Sequence, residues 1–81
     1  MRRHKDDAQE ALGRAIRQLR EEKGLSQEAL AREADLHPTW ISHLEAGRNP
    51  AWATVKRISA ALDVRVSEIA ALAEEIEAGS P

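Results

Sequence analysis

The strongest constraint on the fold is a three-residue interval, Asp35-Leu36-His37, that separates two short runs of helical periodicity and is closed by Pro38. In the stretch from Gln27 to Gly47, QEALAREADLHPTWISHLEAG, the residues Leu30, Ala31 and Ala34 recur at spacings that put them on one helical face. Ile41 and Leu44 repeat that spacing beyond the interval. Proline lacks a backbone N–H and holds φ near the helical value, so it suits the first position of a new helix. One helix therefore stops near Ala34 and another begins near Pro38, with a tight turn between them.

The flanking segments obey the same 3.6-residue period. Leu12, Ala15, Ile16 and Leu19 predict a first helix from about Ala8 to Lys23, with Gly24 as the left-handed residue that ends it. Ser26 suits the N-cap of the second helix, and Glu28 suits its positive end. A third helix is expected over Pro38 to Ala46, ended by Gly47. A fourth, from about Trp52 to Leu62, carries Val55, Ile58 and Leu62; a fifth, from Val66 to Ala78, carries Val66, Ile69, Leu72, Ala73 and Ile76. The pattern is all-α: a five-helix domain over residues 8–78, preceded by a flexible polar arm at 1–7 whose Arg2, Arg3 and Lys5 are suited to phosphates.

With 81 residues and no cysteine, the chain is one small domain without disulfides or thiolate metal sites. His37 and His43 stand six apart, against the three or four of helical metal pairs, so no metal and no cofactor is expected. No apolar run reaches the roughly 18 residues of a membrane span, and the N-terminus lacks a signal-peptide core, so a cytoplasmic protein is expected. Paired carboxylates, a nucleophile–base set and a glycine-rich phosphate loop are missing from the pattern, which argues against an enzyme. The net charge of −2 runs against the basic footprint of nucleic-acid binders. Its distribution softens that objection: residues 1–62 hold 11 Lys+Arg against 9 Asp+Glu, whereas residues 63–81 hold one against five.

Two short helices joined by a tight turn form a helix-turn-helix arrangement, which suggests sequence-specific DNA binding. The segments GLSQEALA, WISHLEAGRNP and ISAALDV, in this order and spacing, resemble the Cro/C1-type (XRE-like) helix-turn-helix family, which includes the lambdoid phage repressors. The resemblance covers about Leu12 to Leu72 and implies a five-helix bundle of the lambda-repressor-like type. It implies that the helix from Pro38 lies in the major groove of double-stranded DNA while the helix from Gln27 crosses the backbone. With Ile41 and Leu44 turned inward, Thr39, Ser42, His43 and Ala46 point outward. The resemblance assigns base reading to Pro38, Thr39 and His43, with His37 near the helix start. It assigns backbone contacts to Gln27, Ser42, Arg48 and Asn49, and to Trp40, for which packing against neighbouring helices is the other reading. Ser26 shares that backbone group, although its chemistry fits a cap better. Arg20 and Glu45 match a buried structural salt bridge of the lambdoid repressors. Trp52 fits the core or a subunit interface.

The chain departs from the family pattern at Asp35, where a turn glycine is common, at Ala46, and at Ala51 and Arg65, where capping Ser or Thr is expected. The last two departures predict fraying starts for the fourth and fifth helices. One recognition helix reads too few base pairs for useful specificity, so a homodimer on a near-palindromic operator is expected. The fifth helix, with Val66, Ile69, Leu72, Ala73 and Ile76, is the expected interface. The size and layout resemble small autoregulatory controllers of restriction–modification systems. The alternative is an antitoxin or interaction module whose acidic fifth helix meets a protein partner.

Overall fold

A computed structural model describes residues 5–79. Among them are five helices and no strand: α1 (Lys5–Glu22), α2 (Gln27–Ala34), α3 (Pro38–Glu45), α4 (Trp52–Leu62) and α5 (Val66–Gly79). The bounds of α2 to α5 and the end of α1 lie within one residue of the expected ones. The start of α1 differs. Residues 5–7, expected in the flexible arm, are already helical, while Arg2 and Arg3 lie outside the described residues. That turn is polar, so it carries no apolar period from which to read a helix.

The ends of α1 to α4 share one device. The Leu25 N–H donates to the Arg20 carbonyl at 3.1 Å and the Gly24 N–H to the Glu21 carbonyl at 2.9 Å, the paired bonds of a Schellman motif around a left-handed residue. The same pairing closes α2 at Asp35, α3 at Gly47 and α4 at Asp63. Asp35 and Asp63 adopt φ of 59° and 58°, so aspartate takes the left-handed conformation that glycine would otherwise supply. The residue that follows commonly packs back onto its helix. Leu25, Leu36 and Val64 do so, resting against the core. The corresponding residue after α3 is Arg48, which is exposed.

Helix starts are less uniform. The Ser26 hydroxyl oxygen accepts the Ala29 N–H at 3.0 Å and caps α2. Ala51 gives α4 no side-chain cap. At α5 the expected fraying is corrected: the Glu68 carboxylate accepts the Arg65 N–H at 2.8 Å, the returning half of a capping box.

The core is aliphatic, built from Ala15 and Ile16 of α1, Leu30, Ala31 and Ala34 of α2, Ile41 and Leu44 of α3, Ile58 and Leu62 of α4, and Ile69 of α5. α1 packs most extensively on α5 and also meets α3, while α2 packs on α3 and α4. Of the five α5 residues expected at an interface with a second copy, Ile69 is withdrawn into the core, and the other four keep part of their surface. Ile69 is 1% exposed and belongs to the core of one chain, and Leu72, Ala73 and Ile76 are half-buried against it. Trp52, at 65% exposed, is no part of the core, which excludes one of its two expected places and leaves the subunit interface as the other.

Candidate nucleic-acid interface

α3 presents one face to the core and the other to solvent. Ile41 and Leu44 are fully buried, which fixes the rotation of the helix about its axis. Pro38, Thr39, Trp40 and Ser42 are then exposed and His43 is half-buried. An eight-residue helix is too short to hold itself in water, so tertiary contacts must keep it in place.

Three sets of contacts do so. At its start, the His37 imidazole Nδ1 accepts the Thr39 N–H at 3.1 Å. An Nδ1 that accepts leaves the proton on Nε2, so His37 offers a neighbouring ligand an N–H donor. Along its side, α1 approaches so closely that a Cβ built on Gly13 would clash with the Leu44 carbonyl oxygen and lie 3.0 Å from that of Glu45. The sequence did contain a signal for this contact, since a glycine inside an unbroken helical period costs about 1 kcal/mol and needs a packing reason.

At its end, Glu45 accepts Arg20 Nε at 2.6 Å and Arg20 Nη2 at 3.1 Å, with side chains 6% and 11% exposed. Arg20 Nη1 also donates to the Leu25 carbonyl at 2.7 Å, and the Gln27 amide donates to Glu45 at 3.0 Å. One buried ion pair thus joins α1, the α1–α2 linker, the first residue of α2 and the last of α3. Hydrogen bonding to Glu45 holds the Arg20 guanidinium further toward its protonated form than an ordinary arginine, against the opposing effect of burial. The Glu45 charge is spent inside the molecule.

The expected backbone contacts fall around this face with different freedom. Arg48 and Asn49 are exposed beyond the end of α3, and Ser42 is exposed on its outer side. Gln27 is half-buried with one amide N–H given to Glu45, an engagement between two helices that spacing alone does not reveal. Ser26 spends its oxygen as a cap acceptor and retains its O–H as a donor. Trp40, at 52% exposed, meets the His43 ring edge-on with centroids 6.5 Å apart. Behind the turn, Arg57 of α4 donates to the Asp35 carbonyl at 3.4 Å. No His, Asp or Glu cluster among the described residues could hold a metal ion, and none of the helices is long and apolar enough to cross a membrane.

The helix-turn-helix domain family matches residues 11–72 of this chain. The control protein C.BamHI of Bacillus amyloliquefaciens is 44% identical over 59 residues, covering 70% of this chain and 73% of the relative. Among solved structures, the restriction-modification controller C.AhdI of Aeromonas hydrophila superposes with a TM-score of 0.72 at 35% identity, covering 73% of this chain and 91% of that one. The biofilm master regulator SinR, solved in complex with DNA, superposes with a TM-score of 0.68 at 35% identity, covering 72% and 95%. These relatives are regulators and controllers, not enzymes.

Proposed function

This chain belongs to the helix-turn-helix domain family of DNA-binding regulators, and on that footing we propose that it is a sequence-specific transcriptional regulator that inserts α3 into the major groove as a homodimer. The observation that carries the reading is the outward face of α3, held rigidly by the His37 cap, the Gly13 contact and the Arg20–Glu45 pair. His37, Pro38, Thr39 and His43 read base edges. A histidine N–H suits a purine N7, and the Thr39 hydroxyl or methyl suits several bases. Ser26, Gln27, Ser42, Arg48 and Asn49 contact the sugar–phosphate backbone. Arg48 has the firmest support, because it occupies a position that Leu25, Leu36 and Val64 fill with apolar side chains at the other helix ends.

Dimerisation uses the outer edges of α5, through half-buried Val66, Leu72, Ala73 and Ile76, so that two copies of α3 reach successive major grooves about 34 Å apart on a near-palindrome. The controller relatives support an autoregulatory role, with repression as its simplest form. A second reading, an antitoxin or interaction module, draws on the exposed Glu68, Glu74 and Glu75 of α5, which would suit a basic protein partner.

Binding of the purified protein to a site selected from random duplexes, titrated across a salt series, tests the reading. Affinity should fall steeply with salt. His43→Ala should weaken the selected site more than random DNA, and Arg48→Ala should weaken both. Failure to enrich any site at low salt would leave the acidic α5 face as the functional surface.

A further inference from the structure

The two histidines of the α3 segment are held differently. His37 is fixed by a hydrogen bond from the backbone. The His43 imidazole has no hydrogen bond to any described residue, and its ring is met by the Trp40 indole, edge-on, with planes at 73°. Trp40 and His43 are three residues apart on α3, so their side chains are neighbours on the same outer surface. A histidine that must offer a ring nitrogen to one base has to be held in one rotamer, or binding carries the cost of ordering it. Edge-to-face aromatic contact supplies that restraint at ring separations of roughly 4.5–7 Å. An indole whose task was to lie along the sugar–phosphate backbone would have no need of the imidazole.

We propose that Trp40 is a positioning residue for His43, and that the Trp40–His43 pair is the specificity-determining unit of α3, presenting an imidazole N–H to a purine N7. The inference rests on the reading of α3 as the base-reading helix. It differs from the assignment of Trp40 to the DNA backbone, because a backbone contact strengthens binding to every sequence alike. Trp40 is exposed, His43 is half-buried, and neither belongs to the aliphatic core, so their replacement leaves that core intact.

The test uses the full chain and a duplex selected from random sequence by the wild-type protein. Each purine of the selected half-site is replaced in turn by its 7-deaza analogue, which lacks N7 and keeps the pairing edge. One such replacement should weaken wild-type binding about tenfold, within the range of a good base contact. Trp40→Ala should lose about 2- to 12-fold on the selected duplex, keep wild-type affinity for random DNA, and lose most of its sensitivity to that replacement. Trp40→Phe, which restores an aromatic edge, should recover the sensitivity, and His43→Ala should abolish it. If Trp40→Ala weakens selected and random DNA equally while its 7-deaza sensitivity stays at the wild-type level, the positioning role is overturned although α3 still reads bases. If no 7-deaza replacement affects wild-type binding, the N7 contact and the inference both fail while a selected site still upholds the regulator reading. A wild-type protein that enriches no duplex overturns both.

Discussion

The Leu44 carbonyl of α3 occupies the space that a side chain at Gly13 of α1 would need. Helix propensity alone favours alanine over glycine by about 1 kcal/mol in a helix interior. The close approach reverses that preference. Gly13→Ala should destabilise the fold by about 1–3 kcal/mol, the usual cost of overpacking, read as a lower midpoint in urea unfolding followed by circular dichroism. A neutral or stabilising result would mean that α1 can draw away from α3 at little cost.

Arg20 and Glu45 form a buried pair whose removal is asymmetric. Arg20→Met alone strands the carboxylate and should cost about 3–5 kcal/mol, a large share of the stability of so small a domain. Adding Glu45→Leu removes the stranded charge and frees Gln27 to turn to solvent, so the double variant should be more stable than Arg20→Met. Chemical denaturation of the three proteins at one pH gives the comparison. A double variant less stable than the single would show that Glu45 contributes through the hydrogen bond it accepts from Gln27, the one bond that separates the two variants, rather than through charge neutralisation.

Asp63 holds a left-handed backbone at the negative end of α4, two unfavourable placements at once. Asp63→Gly should raise stability by about 0.5–1 kcal/mol, and thus the thermal midpoint by roughly 4–8 °C per kcal/mol for a domain of this size. Gly24→Ala, at φ of 72° with open space around it, should lower stability by about 1–2 kcal/mol through backbone strain alone. Equal midpoints for all three proteins would rule out strain as the controlling effect at these turns.

The starts of α4 and α5 give opposite predictions. Ala51 has the extended backbone of an N-cap without a side-chain acceptor, so Ala51→Ser should stabilise by about 0.5–2 kcal/mol. Glu68→Ala removes the carboxylate that accepts the Arg65 N–H and should cost about 0.5–1.5 kcal/mol. Native-state hydrogen exchange at the first turn of each helix resolves the two effects locally.

What could be read from the sequence was whatever a residue decides by its own chemistry. Pro38 starts a helix, Ser26 caps one, Gly24 and Gly47 end two, and the apolar period picks out Ile16, Leu30, Ile41, Leu44 and Ile58 for the core. What could not be read depended on distances between helices. The use of one Gln27 N–H by Glu45, the burial of Ile69 within one chain and the exposure of Trp52 all follow from how the helices meet. The His37 cap was hidden for a different reason: histidine is an uncommon N-cap, and its ring nitrogen does the work usually given to Ser, Thr, Asn or Asp. At the interface, the outward face of α3 followed from the inward placement of Ile41 and Leu44, whereas the Trp40–His43 contact needed side-chain geometry.

The chain contains no phenylalanine or tyrosine, and both of its tryptophans lie on the surface. Its core is therefore dark to ultraviolet emission. Tryptophan fluorescence should change little as the aliphatic interior comes apart, so unfolding is better followed through backbone dichroism. The same spectrum divides between Trp40 on the outward side of α3 and Trp52 at the start of α4. Trp52→Leu would leave a single native fluorophore beside His43, turning the protein into its own optical reporter of whatever approaches that helix.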